Sequence, residues 1–189
     1  MSRARRLALS AAAVAALGGV FIGEAIWIKA KAAVAQVLLD RAFAETVTTG
    51  EPVRPWSWAD TWPVAKISVP RLKTSAIALA GSSGQAMAFG PGHVERTAEP
   101  GGAGTAVYAA HRDTHFAFLG RLVAGDEILV TGTDGHTFAY RVTGTSIVRF
   151  DDSGIAADAG GQNLALVTCW PLDGSMRGPL RYVVHARMR

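Results

Sequence analysis

The chain has 189 residues, of which 49% are hydrophobic and 18% charged, with 21 glycines and a formal net charge of +4. Such a size and balance fit one folded domain with an appendage. A single cysteine excludes an intrachain disulfide, and the scattered basic residues form no stripe interleaved with aromatics, which argues against nucleic acid as a partner.

The appendage comes first. Behind Arg3, Arg5 and Arg6, the run from Leu7 to Gly23 is uncharged, and Ala25, Ile26, Trp27 and Ile28 prolong it past Glu24. At about 1.5 Å per residue such a helix matches the hydrocarbon core of a bilayer. Residues 1–28 therefore read as a membrane anchor with the arginines cytoplasmic. A cleaved secretory signal ending near Ala30-Lys31-Ala32 is the competing reading; either one puts the remaining chain outside the cytoplasm. Residues 29–62 read as a stalk and linker. Helix formers with Val34, Val37, Leu38 and Ala42 at helical spacing come first, then Gly50, Pro52 and Pro55 among Trp56, Trp58 and Trp62. Three tryptophans so close together suggest a platform for a partner, but rings that cover barrel surface explain them more simply.

From residue 63 to 189 the pattern is short strands between turn residues. Strands are expected at Val64–Val69, Ser75–Ala80, Thr105–Ala110, Asp126–Gly132, His136–Gly144, Ser146–Phe150, Leu164–Thr168 and Leu180–Met188. Asp134-Gly135 suits a tight hairpin, and Gly81 to Gly104 reads as a long loop region. The expected fold is all-β: a closed eight-stranded barrel with short helical and loop insertions, preceded by a transmembrane helix.

Chemistry concentrates at the end of one strand. Leu164-Ala-Leu-Val-Thr-Cys-Trp-Pro171 carries Cys169 where Pro171 stops the strand, so the thiol belongs at a rim. In the last strand Leu180, Tyr182, Val184 and Ala186 alternate with Arg181, Val183, His185 and Arg187; the first set suits the core and the second the outside. If these two strands are neighbours, Cys169 lies beside Arg181. His111, 58 positions before Cys169, closes a strand of its own. A thiol needs an imidazole or a cation nearby to become a competent nucleophile, and a guanidinium can hold a carbonyl oxygen as negative charge develops. Taken singly, each of the three has a plain structural explanation; their combination is what suggests an enzyme.

That combination resembles the sortase family of membrane-anchored cysteine transpeptidases. The family signature Thr-Leu-x-Thr-Cys is matched by Ala165-Leu166-Val167-Thr168-Cys169, and the family's histidine segment by Ala110-His111-Arg112-Asp113-Thr114. Trp170-Pro171, Arg181-Tyr182-Val183-Val184 and Phe89-Gly90-Pro91-Gly92-His93 are also similar to sortase sequences. Ala165 and Ala110 depart from the usual threonine and glycine. The resemblance implies Cys169 as nucleophile, His111 as acid and base, and Arg181 as oxyanion stabiliser. It also implies Thr168 as a residue that positions the acyl group or adds a donor beside the nucleophile, and it brings the His93 loop towards the site, so that His93 is a candidate for substrate binding, with capping of its own loop as the plainer role. Its substrate would be a protein with a C-terminal Leu-Pro-x-Thr-Gly-like sorting signal, cut at Thr-Gly through a thioacyl enzyme, with an amine as acceptor. The short anchored chain and Thr-Cys-Trp-Pro look most like sortases of Gram-negative proteobacteria, which implies an inner-membrane protein with a periplasmic catalytic domain.

No cofactor is expected, and no carboxylate or thiol cluster accompanies His111 and His115 to suggest a metal. His136 should be exposed, and His185 too far along its strand to join the site. Arg177 rivals Arg181 for the guanidinium role, and Asp113 is a candidate to orient His111. Two other functions compete: a cysteine peptidase that gives the acyl group to water, and a membrane-tethered barrel that binds a partner without chemistry.

Overall fold

In the computed structural model the backbone is described for residues 3–176 and 178–189, with side chains from residue 17 onward except 25, 28, 29 and 177. Helix α1 spans Arg3–Thr49. A first compact unit ends at Val37 and a second runs Leu38–Arg189, so the expected stalk and linker is divided between them. Among the described residues no helix is long and apolar enough to cross a membrane; much of the expected anchor has side chains outside the described set. The helix ends at Gly50, whose φ of 76° is a conformation glycine adopts without strain and whose N–H donates to the Thr46 carbonyl at 2.8 Å.

Within the second unit, Leu39 and Phe43 of α1 pack with Ile77, Leu79 and Ala86. Of the three linker tryptophans, Trp56 packs edge-on against Phe89, while Trp58 is 83% exposed. Eight strands follow: β1 (Pro63–Val69), β2 (Thr74–Ala80), β3 (Gly92–His93), β4 (Gly104–Ala109), β5 (Glu127–Gly132), β6 (Thr137–Arg149), β7 (Gln162–Cys169) and β8 (Leu180–Met188). They close into a barrel in the order β1-β2-β3-β4-β7-β8-β6-β5. The β5–β6 hairpin turns at Gly135, φ 77°, as the Asp-Gly step predicts.

Three details differ from expectation. The stretches 136–144 and 146–150 are one strand, β6, whose register against β8 shifts between Val142 and Gly144; that irregularity interrupts the alternation and mimics a strand end. β3 has two residues, too few for any periodicity. The loop region before it contains a single helical turn, α2 (Gly84–Met87), begun by Ser83, whose side chain accepts from the Ala86 N–H.

The barrel interior is filled from inward-facing strand positions, with Ala106, Tyr108, Tyr140, Leu164, Leu166, Val184 and Ala186 among them, and Phe116 and Leu119 of the β4–β5 connection close it. The opposite faces of β4, β7 and β8 carry a second apolar layer, Val107, Ala165 and Val183, against which Val94, Val148, Ile155 and Val167 pack.

Candidate active site

Period-two alternation fixes the face on which each candidate stands. Leu164 and Leu166 belong to the interior cluster and Ala165 to the outer layer; Cys169, two and four residues beyond Val167 and Ala165, therefore lies on the outer face. On β8, Tyr182, Val184 and Ala186 point inward as expected, leaving Arg181 and Val183 outside. β7 and β8 are antiparallel with Val167 opposite Val183 and Cys169 opposite Arg181. Opposed residues in such a ladder have Cα atoms about 4.5–5.5 Å apart and share a face. The thiol, partly exposed, and the guanidinium-bearing residue thus stand at the end of an outer layer in which Ala165 and Val183 are fully buried and Val167 is partly exposed.

His111 reaches this rim through β4, which runs parallel to β7 with Ala109 opposite Val167. Past the strand, the Ala110 N–H donates to the Val167 carbonyl at 3.1 Å. The Thr168 hydroxyl donates back to the Ala110 carbonyl at 2.7 Å. The residue before His111 is thereby bonded to the two residues before Cys169. The His111 ring is exposed, and its carbonyl accepts from Phe116 N–H at 3.1 Å, so the turn is anchored by a fully buried aromatic.

Arg181 is oriented from several sides. Its Nη1 donates to the Gly178 and Leu180 carbonyls at 3.1 and 2.9 Å, and its guanidinium carbon sits 5.5 Å from the Phe150 ring centre. No side-chain hydrogen bond joins Cys169, His111 and Arg181 among the described residues. Trp170 stacks on Tyr182 at 5.9 Å, and the Trp170–Pro171 peptide is cis.

Both candidate substrate-side residues find partners within the protein. Thr168 is 2% exposed and faces inward, and its hydroxyl donates to Ala110 O, which holds the segment that leads to His111. His93 is 8% exposed; its Nε2 lies 3.0 Å from Ala98 O and 3.2 Å from Thr97 Oγ1, and its ring rests 5.0 Å from that of Tyr108. It caps the β3–β4 loop. Asp113 is exposed and makes no hydrogen bond to His111, so it does not orient that ring. Burial lowers the His115 pKa against the opposing pull of a hydrogen bond with the Ala88 backbone, and the nearby His111 adds to the lowering. His136 is exposed and 3.1 Å from Asp134. His185 pairs with Ser146 Oγ at 2.7 Å. Arg177 lies outside the described residues. Among the described residues no group of three metal-ligating side chains occurs.

The residue that sequence reasoning passed over is Arg112. Its Nη1 donates to Pro171 O at 2.7 Å and to Met176 O at 3.0 Å. An arginine beside a histidine in a turn carries no signal of such a contact, because its acceptors are backbone carbonyls some sixty positions away.

A closed eight-stranded barrel with the chain's one thiol on its outer rim, flanked by an arginine-bearing strand and by the histidine-bearing turn after β4, defines the class of protein. The sortase domain model matches residues 67–189, and the chain belongs to the sortase family. It is 28% identical to sortase D of Bacillus subtilis over 64% of this chain and 61% of that protein, so it spans about three-fifths of that relative's length. Among solved structures, sortase A from Corynebacterium diphtheriae superposes with a TM-score of 0.62 at 27% identity, over 70% of this chain and 63% of that one. The catalytic domain of B. anthracis SrtD gives 0.56 at 30% identity, over 67% and 87%. The Clostridium perfringens sortase D5 transpeptidase shares the fold with a TM-score of 0.65 at 24% identity, over 83% and 99%.

Proposed function

We propose that this chain is a cysteine transpeptidase acting on a Leu-Pro-x-Thr-Gly-like sorting signal near the C-terminus of a protein substrate. The Cys169 thiolate attacks the threonyl carbonyl carbon, and the Arg181 guanidinium stabilises the charge that develops on its oxygen. His111 protonates the departing glycyl amine, leaving a thioester on Cys169. An incoming amine then attacks the thioester, His111 accepts its proton, and the thiolate is released as the new amide forms. The observation that supports this most directly is the pairing of Cys169 with Arg181 beside a His111 segment bonded to Val167 and Thr168.

The uncharged run behind Arg3, Arg5 and Arg6 supports an N-terminal anchor. The barrel then lies on the extracytoplasmic side of the inner membrane, periplasmic in a Gram-negative cell. With one cysteine in the chain, a membrane-impermeant maleimide applied to spheroplasts should label Cys169; labelling only after lysis would refute the placement.

The chemistry is tested by mixing the protein with a Leu-Pro-x-Thr-Gly-like peptide and reading intact mass. A Cys169 acyl adduct that an added amine discharges to a new amide is expected. An adduct discharged only by water would make the protein a peptidase, and no adduct with any such peptide would defeat the reading.

A further inference from the structure

The fixed distances at the Arg112 guanidinium concern the loop between Cys169 and Arg181. Residues 170–179 leave β7 and return to β8; among the described residues the Trp170 N–H bonds Leu180 O, the Phe150 N–H just past β6 bonds Pro179 O at 2.9 Å, and the Gly174 N–H bonds Pro171 O in a turn, so the neighbouring strands tie the loop by its backbone only at its two ends. Arg112 supplies restraint from the turn that follows β4, donating to Pro171 O at 2.7 Å and Met176 O at 3.0 Å. Gly174 closes over the guanidinium: φ there is +76°, and a Cβ would stand 3.8 Å from Arg112 Nε and Nη2. Asp173, whose carboxylate accepts from the Ser175 N–H at 2.9 Å, also feels the Arg112 charge.

The neighbours of His111 are thus tied to the cysteine strand and its exit loop on both sides. Ala110 is bonded to Val167 and Thr168, and Arg112 to Pro171 and Met176. The ring itself is exposed, so packing alone does not fix its direction. Charge-assisted bonds from a guanidinium to two carbonyls give geometric specificity as well as strength.

We propose that Arg112 is a positioning residue, which holds the 170–179 loop against the His111 turn so that imidazole, thiol and Arg181 keep their working arrangement. This rests on the transpeptidase reading above. Arg112 touches no reacting atom; it acts through the loop and the turn.

The test uses the full chain and the variants Arg112→Ala and Arg112→Lys, with a Leu-Pro-x-Thr-Gly-like peptide and an amine acceptor, together with hydrogen–deuterium exchange of the peptide-free proteins. Arg112→Ala should lower kcat by about tenfold to a hundredfold with KM changed less than about threefold. Amides in 170–179 should exchange faster while those of β4 and β7 keep wild-type protection. Arg112→Lys retains a cation able to donate to both carbonyls and should recover at least part of the lost rate and protection. Unchanged kcat and exchange in Arg112→Ala would overturn the proposal. So would a loss confined to KM, a loss of kcat without faster loop exchange, or a general loss of protection with no recovery by lysine. Wild-type protein inactive on every peptide of the class would sink the transpeptidase reading instead, and unchanged loop exchange in Arg112→Ala would still refute the tether on its own.

Discussion

Ala165 and Leu166 are neighbours on β7, and both are fully buried, but they are covered by different kinds of structure. Leu166 points into a barrel whose walls are strands, locked to each other by ladders all the way round. Ala165 points the other way, into a layer with Val107 and Val183 that is roofed by side chains including Val94 before β4 and Ile155 in the β6–β7 connection. Burial inside therefore rests mainly on strands, with Phe116 and Leu119 of the β4–β5 connection closing one end, while burial outside rests on loop side chains together with Val148 of β6. The candidate chemistry belongs to the second kind of surface. Cys169 and Arg181 continue the outer layer to its edge, where both are partly exposed while the barrel behind them keeps the strand ends in register.

The sharpest way to break this comparison is to change one atom group on the outer rim. Cys169→Ala should abolish acyl transfer to a peptide substrate, by at least about a thousandfold, while the melting temperature stays within about 2 °C of wild type. A stable variant that still transfers the acyl group would remove the thiol from the mechanism. The converse change is Leu166→Ala, a cavity in a strand-walled interior, which should cost about 2–5 kcal/mol in chemical denaturation. Val183→Ala on β8 removes two buried methyl groups from the loop-roofed layer, about 1.5 kcal/mol at roughly 0.8 kcal/mol per buried carbon, and less if the roof settles into the space. If Val183→Ala costs as much as Leu166→Ala, the two faces do not differ in the way argued here.

The same distinction explains what could be read from the residues. Strands with one interior face announce themselves by alternation, so most of the barrel and the inward set of β8 were legible. The neighbourhood of Cys169 and Arg181 was legible too, because Pro171 stops one strand shortly before Arg181 opens the next. What escaped depends on partners distant in sequence. The outward place of Val183 is readable from the alternation, but nothing local says that side chains from distant parts of the chain bury it completely. Thr168 looked like a residue for the substrate because it precedes the cysteine; its place on the inward parity with Leu164 and Leu166 sends its hydroxyl to Ala110. His93 had the chemistry of a ligand residue, but its ring nitrogen is engaged within its own loop. The expected break within β6 falls where Gly144 follows a register shift, and β3 is too short to show a period.

A polar contact belongs to neither face and gives a smaller, pH-dependent effect. Arg71, in the 3-10 turn after β1, donates through Nε to Asp126 Oδ1 at 2.6 Å and through Nη2 to Oδ2 at 2.5 Å, just before β5. The hydrogen bonds from Arg71 hold the Asp126 carboxyl below its ordinary value of 3.8, against the opposing effect of burial. A carboxyl lowered by folding contributes stability that is full above the unfolded value and is lost as pH falls through the folded one. Urea midpoints taken from pH 7 down to 3 should therefore drop below about pH 4, and Asp126→Asn should be less stable at pH 7 with a flatter acid limb. Identical acid limbs in the two proteins would show that the ion pair does not set this dependence.

The smallest effect concerns two tyrosines of the interior. Tyr140 and Tyr108 are 1% and 0% exposed, but only one has a use for its hydroxyl. Tyr140 accepts the Gly101 N–H at 2.7 Å, and Tyr108 Oη is the buried side-chain polar atom without a hydrogen-bond partner among the described residues. Burial is the largest cause that raises the Tyr108 pKa, which favours the neutral phenol. Desolvating a hydroxyl without return costs free energy, whereas removing one partner of a made bond leaves the other unsatisfied. Tyr108→Phe keeps the ring that meets His93 and should leave the melting temperature unchanged or slightly raised. Tyr140→Phe strands the Gly101 N–H and should lose about 1 kcal/mol. Acyl transfer should survive Tyr108→Phe, because this side chain points inward from β4 while Cys169 ends the outward set of β7. If Tyr108→Phe proves the more damaging of the two, that hydroxyl has a partner, and the interior is not the purely apolar support that the outer rim has been taken to rest on.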